Sequence, residues 1–130
     1  MIRDYNEKPE DGNWMFRCET NNIYPSRVEV YYSSFRVIST TPKGKWIVYE
    51  WVDYTDEESI KRYKRFVLDK GKKRYAYETR EGARIAFLAR KQRQVELLKA
   101  QLQKAELSYA AAGGTLPIKT RKFKYYECDH

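Results

Sequence analysis

The stretch KRYKRFVLDKGKKRYAY, Lys61 to Tyr77, holds eight lysines and arginines, three tyrosines and a single acidic residue in seventeen positions. Guanidinium and ammonium groups in such numbers can hold phosphate oxygens, and flat rings between them can stack on bases. Two further stretches offer the same combination, ARKQRQ from Ala89 and IKTRKFKYY from Ile118. The candidate phosphate ligands are therefore Arg84, Arg90, Arg93, Arg121 and Lys122, and the candidate stacking rings are Tyr75, Tyr77, Phe123 and Tyr125. On a helix Arg90 and Arg93 share a face with Leu97 and Gln101, while Arg84 and Lys91 lie beside the packing stripe. An arginine whose stem lies on a packed face is pre-positioned, which suits a defined pocket. The site is expected where KKRYAY runs into the helix, with Tyr75 and Tyr77 on one face of a strand. The plainer reading of each residue is a solvated face or the rim of a helix interface.

Catalytic chemistry has little to work with. The one histidine, His130, stands at the end of the sequence, which leaves no general base for Ser-His or Cys-His mechanisms. None of GxSxG, HExxH, GxxxxGK[ST] or GxGxxG occurs among the six glycines. Asp53, Asp56, Glu57 and Glu58 could hold magnesium or act as paired carboxylates, but a helix cap explains three of them better. ECDH, Glu127 to His130, has metal-binding atom types but not the spacing of a closed site. No catalytic residue, metal or cofactor is expected.

Charge is divided along the chain. Residues 1–60 carry 7 Lys+Arg against 11 Asp+Glu, a balance of −4, and residues 61–130 carry 19 against 7, a balance of +12. Such polarity suits an anionic partner on one side or attraction between subunits. Cys18 and Cys128 have no metal spacing and read as reduced thiols. The opening MIRDYNEKPEDGNW is too polar for a signal peptide, and no apolar run is long enough to cross a bilayer, so a cytoplasmic protein without a membrane partner is expected.

The elements that must position these residues follow from periodicity. The expected fold is α+β in one domain: an antiparallel β-sheet, then a long amphipathic C-terminal helix and a short basic extended tail. Residues 1–12 read as a polar arm, residues 13–78 as mainly sheet, residues 79–112 as the helix and residues 113–130 as the tail. Asn13–Glu19 and Arg27–Thr40 are rich in β-branched and aromatic residues, with a bulge expected at Ser33 and Ser34. KWIVYEWVDY alternates apolar groups on both faces through Trp51 and Val52, as a central strand does. Thr55 and Glu58 form a capping box for a short helix over about 56–65 that buries Ile60 and Tyr63. Beyond it, Asp69-Lys70-Gly71 is a turn, so RFVL and KKRYAY form a hairpin; the competing reading carries the helix to Asp69 and caps it with Gly71. Thr79 caps the long helix, which is expected to pack on the sheet through Ile85, Phe87 and Leu88. Leu88, Val95, Leu102 and Tyr109 recur every seven residues with Leu98 and Ala105 between them, a seam for a homodimer or higher homo-oligomer. The competing use of that seam is to fold back on its own domain.

KRYAYETREGARIAFLARKQRQVELLKAQLQKAEL resembles a pattern of small bacteriophage accessory proteins: a short strand, a Thr-capped helix start, an Ala/Phe stripe, RKQRQ and a leucine-spaced extension. In size, layout and basic character the chain also resembles the Thoeris anti-defence sponges. That resemblance implies a non-enzymatic counter-defence protein that sequesters a small anionic nucleotide messenger, of cyclic ADP-ribose type or a cyclic oligonucleotide, in an infected bacterial cell. The alternative is an inhibitor that binds nucleic acid or a nucleoprotein effector, of anti-CRISPR or anti-restriction type. A virion assembly protein is the third reading.

Overall fold

The computed structural model describes residues 1–71 and 73–119. The chain divides after Arg90 into two compact units. The first holds four strands, β1 (Trp14–Tyr24), β2 (Arg27–Thr40), β3 (Gly44–Tyr49) and β4 (Arg65–Leu68), with α1 (Glu57–Tyr63) before β4. The long helix α2 (Arg80–Ala111) begins in the first unit and runs on into the second. The fold is α+β, as expected: an antiparallel sheet in the order β1-β2-β3-β4, then a long helix. No helix of the described residues is long and apolar enough to cross a membrane.

The sheet curls until its ends meet. After β4 the chain returns to β1, where the Phe16 amide donates to the Tyr77 carbonyl at 2.7 Å and the Tyr77 amide donates back to Phe16 at 2.8 Å. Successive strand residues face opposite sides. On the inside Met15, Phe35, Ile47, Val67 and Ala76 form a core in which none is more than 2% exposed. On the outside Trp14 and Phe16 are covered by Ala83 from the first turn of α2. β3 is buried on both faces at Ile47 and Val48, as a central strand should be.

Several local expectations are corrected. β3 ends at Tyr49 and not beyond Trp51: the Val52 amide closes a turn on the Tyr49 carbonyl at 3.0 Å, which leaves Trp51 exposed. The bulge in β2 lies at Ile38, between Val37 and Ser39, because Ser33 and Ser34 sit in an unbroken ladder with β1. Asp56, not Thr55, caps α1, accepting from the Glu58 amide at 3.2 Å; Thr55 is turned back onto Asp53 by two hydrogen bonds. Ile60 is half-buried and Tyr63 exposed, because α1 is too short to lay a full face on the sheet.

RFVL and KKRYAY do not form a hairpin, and the helix does not run to Asp69. Arg65–Leu68 pairs with β3, Gly71 turns with φ +130, and the chain crosses to β1. Thr79 is the cap of α2: its hydroxyl accepts from the Gly82 amide at 3.0 Å. Of the three residues expected to hold the helix on the sheet, only Phe87 is buried; Ala83 joins it, while Ile85 and Leu88 are exposed. Residues 83 and 87 are one turn apart on a single line of the helix, so the contact is a narrow stripe. The helix stops before Gly113, whose φ of +98 suits glycine at a C-terminal cap.

The N-terminal arm is docked. Arg3 bonds β2 on both sides, through Val30 and Tyr32 at 2.9 Å, along an edge that β3 does not reach. Arg80 clasps the arm from the other direction, with Nε donating to Asp4 at 2.5 Å, Nη1 to Glu10 at 3.0 Å and Nη2 to the Lys8 carbonyl at 2.5 Å. Its guanidinium lies over Phe16 at 4.4 Å. Part of the charge polarity of the sequence is thus satisfied within one chain.

Candidate functional site

Three of the eight basic residues in the run from Lys61 to Tyr77 cover rings. Lys64 lies over Trp46 at 4.6 Å, Arg65 over Tyr75 at 4.0 Å and Arg74 over Tyr77 at 5.1 Å. Arg74 is also held by both oxygens of Glu78. The sequence-derived site residues fall in separate places. Arg84 is half-exposed and pairs with Glu81 at 3.5 Å. Arg90 donates to the Cys18 carbonyl at 3.1 Å and lies 5.6 Å from the Phe87 ring; burial, and then the nearby Arg17, push its pKa down. Cys18 beneath it is a buried free thiol whose pKa burial pushes up. Arg93 belongs to the second unit and is exposed. Tyr75 packs on the inner core and Tyr77 on the outer cluster, so the two rings do not share a face. The alternation of a regular strand fails because the chain bends at Tyr75. Arg121, Lys122, Phe123 and Tyr125 lie outside the described residues.

A denser cluster stands where the β1–β2 hairpin runs on past β3, whose ladder with β2 begins at Phe35 and Tyr49. Tyr75 is sandwiched between two guanidiniums, Arg17 at 4.2 Å and Arg65 at 4.0 Å. Arg17 also donates to the Tyr75 carbonyl at 2.7 Å. The hydroxyl of Tyr49 donates to Glu19 Oε1 at 3.1 Å, and that of Tyr31 donates to Oε2 at 3.3 Å. A hydroxyl has one proton. The 3.1 Å contact between Tyr49 and Tyr75 is therefore donated by Tyr75. Phe35 supports both rings from below, with centroids 4.3 Å from Tyr49 and 5.5 Å from Tyr75.

The cluster reaches the surface through Trp51. Its ring stacks on Tyr49 at 5.7 Å and meets the edge of Tyr63 at 4.8 Å, yet Trp51 remains 62% exposed. Among the described residues Arg65 has no carboxylate partner within an ion-pair distance. The arrangement offers one exposed aromatic platform and one guanidinium held flat by a ring, with its fork open to water. These are the parts that stack a base and hold a phosphate.

Burial, and with it the Glu19 carboxylate that accepts its proton, push the Tyr49 pKa well above its ordinary value, so the hydroxyl is a proton donor throughout the neutral range. Tyr31 and Tyr32 are raised in the same direction, chiefly by burial. An unfolded chain releases these protons near pH ~10, and the folded one holds them longer. Stability is therefore full below about pH 10 and falls as pH rises above it. The Tyr49→Phe variant is expected to lose about 1 to 2 kcal/mol at neutral pH, for two hydrogen bonds. Its urea midpoint should then decline less steeply than wild type on titration upward from pH ~9. Equal slopes would mean that Tyr49 does not carry the linkage.

Arg17, Glu19, Tyr31, Tyr49, Trp51 and Arg65 were not singled out from sequence as site residues. One signal was available: in MFRCE, Arg17 and Glu19 share the face of Met15, so two charges point to the buried side of a strand. Compared with protein-family models, curated proteins and solved structures, the chain matches none.

Proposed function

We propose that the protein binds a nucleotide-bearing anion without cleaving it, with the base on Trp51 and Tyr63 and a phosphate on Arg65. The observation that carries this is the pairing of an exposed, ring-supported Trp51 with an Arg65 that lies on Tyr75 and has no acidic partner among the described residues. Sequestering a small cyclic nucleotide messenger, as a bacteriophage counter-defence protein does, is the use that the sequence resemblance supplies. A second reading, single-stranded nucleic acid or a nucleoprotein effector, is favoured by the openness of the platform. The proposal includes a homo-oligomer formed through Leu88, Val95, Leu98 and Leu102, all at least 49% exposed on α2.

Tryptophan fluorescence tests the site directly, with ADP-ribose, cyclic di-AMP and an oligo-dT strand as probes. Trp51→Ala should weaken binding by about 1 to 3 kcal/mol, the typical worth of one stacked base. Arg65→Ala should weaken it about tenfold, the scale of one charge-assisted contact. Affinity for a small nucleotide should change little between low and physiological salt, whereas that for a strand should fall steeply. Binding unaffected by both substitutions would place the site elsewhere, and no response to any probe would remove the proposal.

A further inference from the structure

Beyond Arg90, α2 carries a row of exposed apolar side chains. Val95, Leu98, Leu102 and Tyr109 are each between 45% and 60% exposed, and Ala105 completes the alternating three-and-four spacing. That spacing keeps one line of a helix in contact with another helix over several turns. The same row begins with Lys91, seven residues before Leu98 and so on the same line. The pattern thus has a charge at one end and an aromatic ring at the other.

We infer that α2 pairs antiparallel with α2 of a second copy, with Leu98 of each chain against Leu102 of the other. The sequence of the row itself selects this occupant and orientation. Setting Leu98 against Leu102 of the second copy places Val95 against Ala105 and Lys91 against Tyr109, by counting outward equally from the centre. Each layer is then complementary: two leucines, a larger residue with a smaller one, and an ammonium beside a tyrosine ring, which attract. The two halves are related by a twofold axis, the symmetry of most homodimers. A parallel pair would set Lys91 against Lys91 and overlay the basic turn of Lys91 and Arg93 on itself. Antiparallel pairing brings that turn beside the end holding Glu106. Shifting the antiparallel register by one heptad places Lys91 against Leu102 and loses its contact with the Tyr109 ring.

The ring at the far end is held in place. A Cβ on Gly114 would meet Tyr109 Cε1 at 2.1 Å, so the backbone at Gly114 lies against that ring and a side chain there would displace it. From Lys91 to Tyr109 the contact line is about 27 Å long, or roughly two and a half heptads. Association through such a seam depends on protein concentration.

This inference rests on the self-association proposed above, and one set of measurements separates their failures. In the full chain with Cys128→Ser, cysteines are introduced singly at Val95 and Ala105 and oxidised alone and as a mixture. The mixture should form the linked dimer, with each variant alone giving at least fivefold less. Sedimentation of wild type should show dimer at tens of micromolar, lost in Leu98→Asp/Leu102→Asp. Both leucines are exposed in the single chain, so an unchanged far-ultraviolet spectrum confirms that the variant is folded. A monomer at every concentration would overturn self-association and the inference with it. Efficient linking of Val95→Cys to itself would overturn the orientation while leaving a dimer. Nucleotide binding at Trp51 is untouched by either result.

Discussion

Gly44→Ala is expected to destabilise the protein by about 3 kcal/mol or more, a large share of the roughly 5 to 15 kcal/mol that holds a domain together. Gly44 opens β3 opposite Leu68 and is buried. A Cβ there would stand 2.2 Å from the Val67 carbonyl oxygen, 2.8 Å from the tip of the Phe66 ring and 3.0 Å from the Leu68 Cα. The ring can rotate away, but the carbonyl and the Cα belong to the backbone of the neighbouring strand. Gly44 cannot withdraw either: its amide bonds Thr41 Oγ1 at 3.1 Å, and its carbonyl accepts from the Thr41 amide at 2.8 Å. The alanine therefore separates β4 from β3 and takes Val67 out of the core. Urea unfolding of the two proteins measures the effect, and a loss below about 1 kcal/mol would show that the strands can part without cost.

Phe35→Ala should cost a similar amount, about 3 to 5 kcal/mol, for a fully buried ring replaced by a cavity. Phe35 is 1% exposed and sits at the centre of the inner core. Its ring is also the floor under Tyr49 and Tyr75, the two residues that hold Trp51 and Arg65 in position. A gentler variant separates the two roles. Phe35→Leu should cost about 1 to 1.5 kcal/mol and keep the fold, while binding of an oligo-dT strand or nucleotide weakens severalfold. Stability read by urea and affinity read by tryptophan fluorescence check the pair. If Phe35→Leu bound with wild-type affinity, the tyrosines would hold their places without the ring beneath them.

Local rules carried the elements of this fold a long way and failed where the chain meets itself. Thr79 and Gly113 mark the ends of α2 because capping is decided within a few residues. The turn at Gly71 was legible for the same reason. The destination of Lys73–Tyr77 was not, because its partner is Phe16, some sixty residues earlier, and no nearby residue records that pairing. Trp51 illustrates a different failure. Its alternation with Tyr49 reads as continuing strand, yet a turn closed by the Val52 amide on the Tyr49 carbonyl takes it out of the sheet. The candidate site suffered most. Composition drew the eye to the basic run, but the ring-covering roles of Lys64 and Arg74 absorb part of it, and the cluster is completed by Arg17 and Glu19 from β1. Their meaning rests on Tyr75 arriving from the segment after β4.

The clasp between Arg80 and Asp4 imposes an order in time. Asp4 must wait for a partner 76 positions later in the chain, as Phe16 must wait for Tyr77. At a synthesis rate of ~5 to 20 residues per second that delay is about 4 to 15 s. During it β2 can already pair with β3, while the far edge of β1 that Tyr77 will cover stands open. The nascent chain is thus most exposed to pairing with other strands in the interval just before α2 begins, and the first turn of that helix ends it.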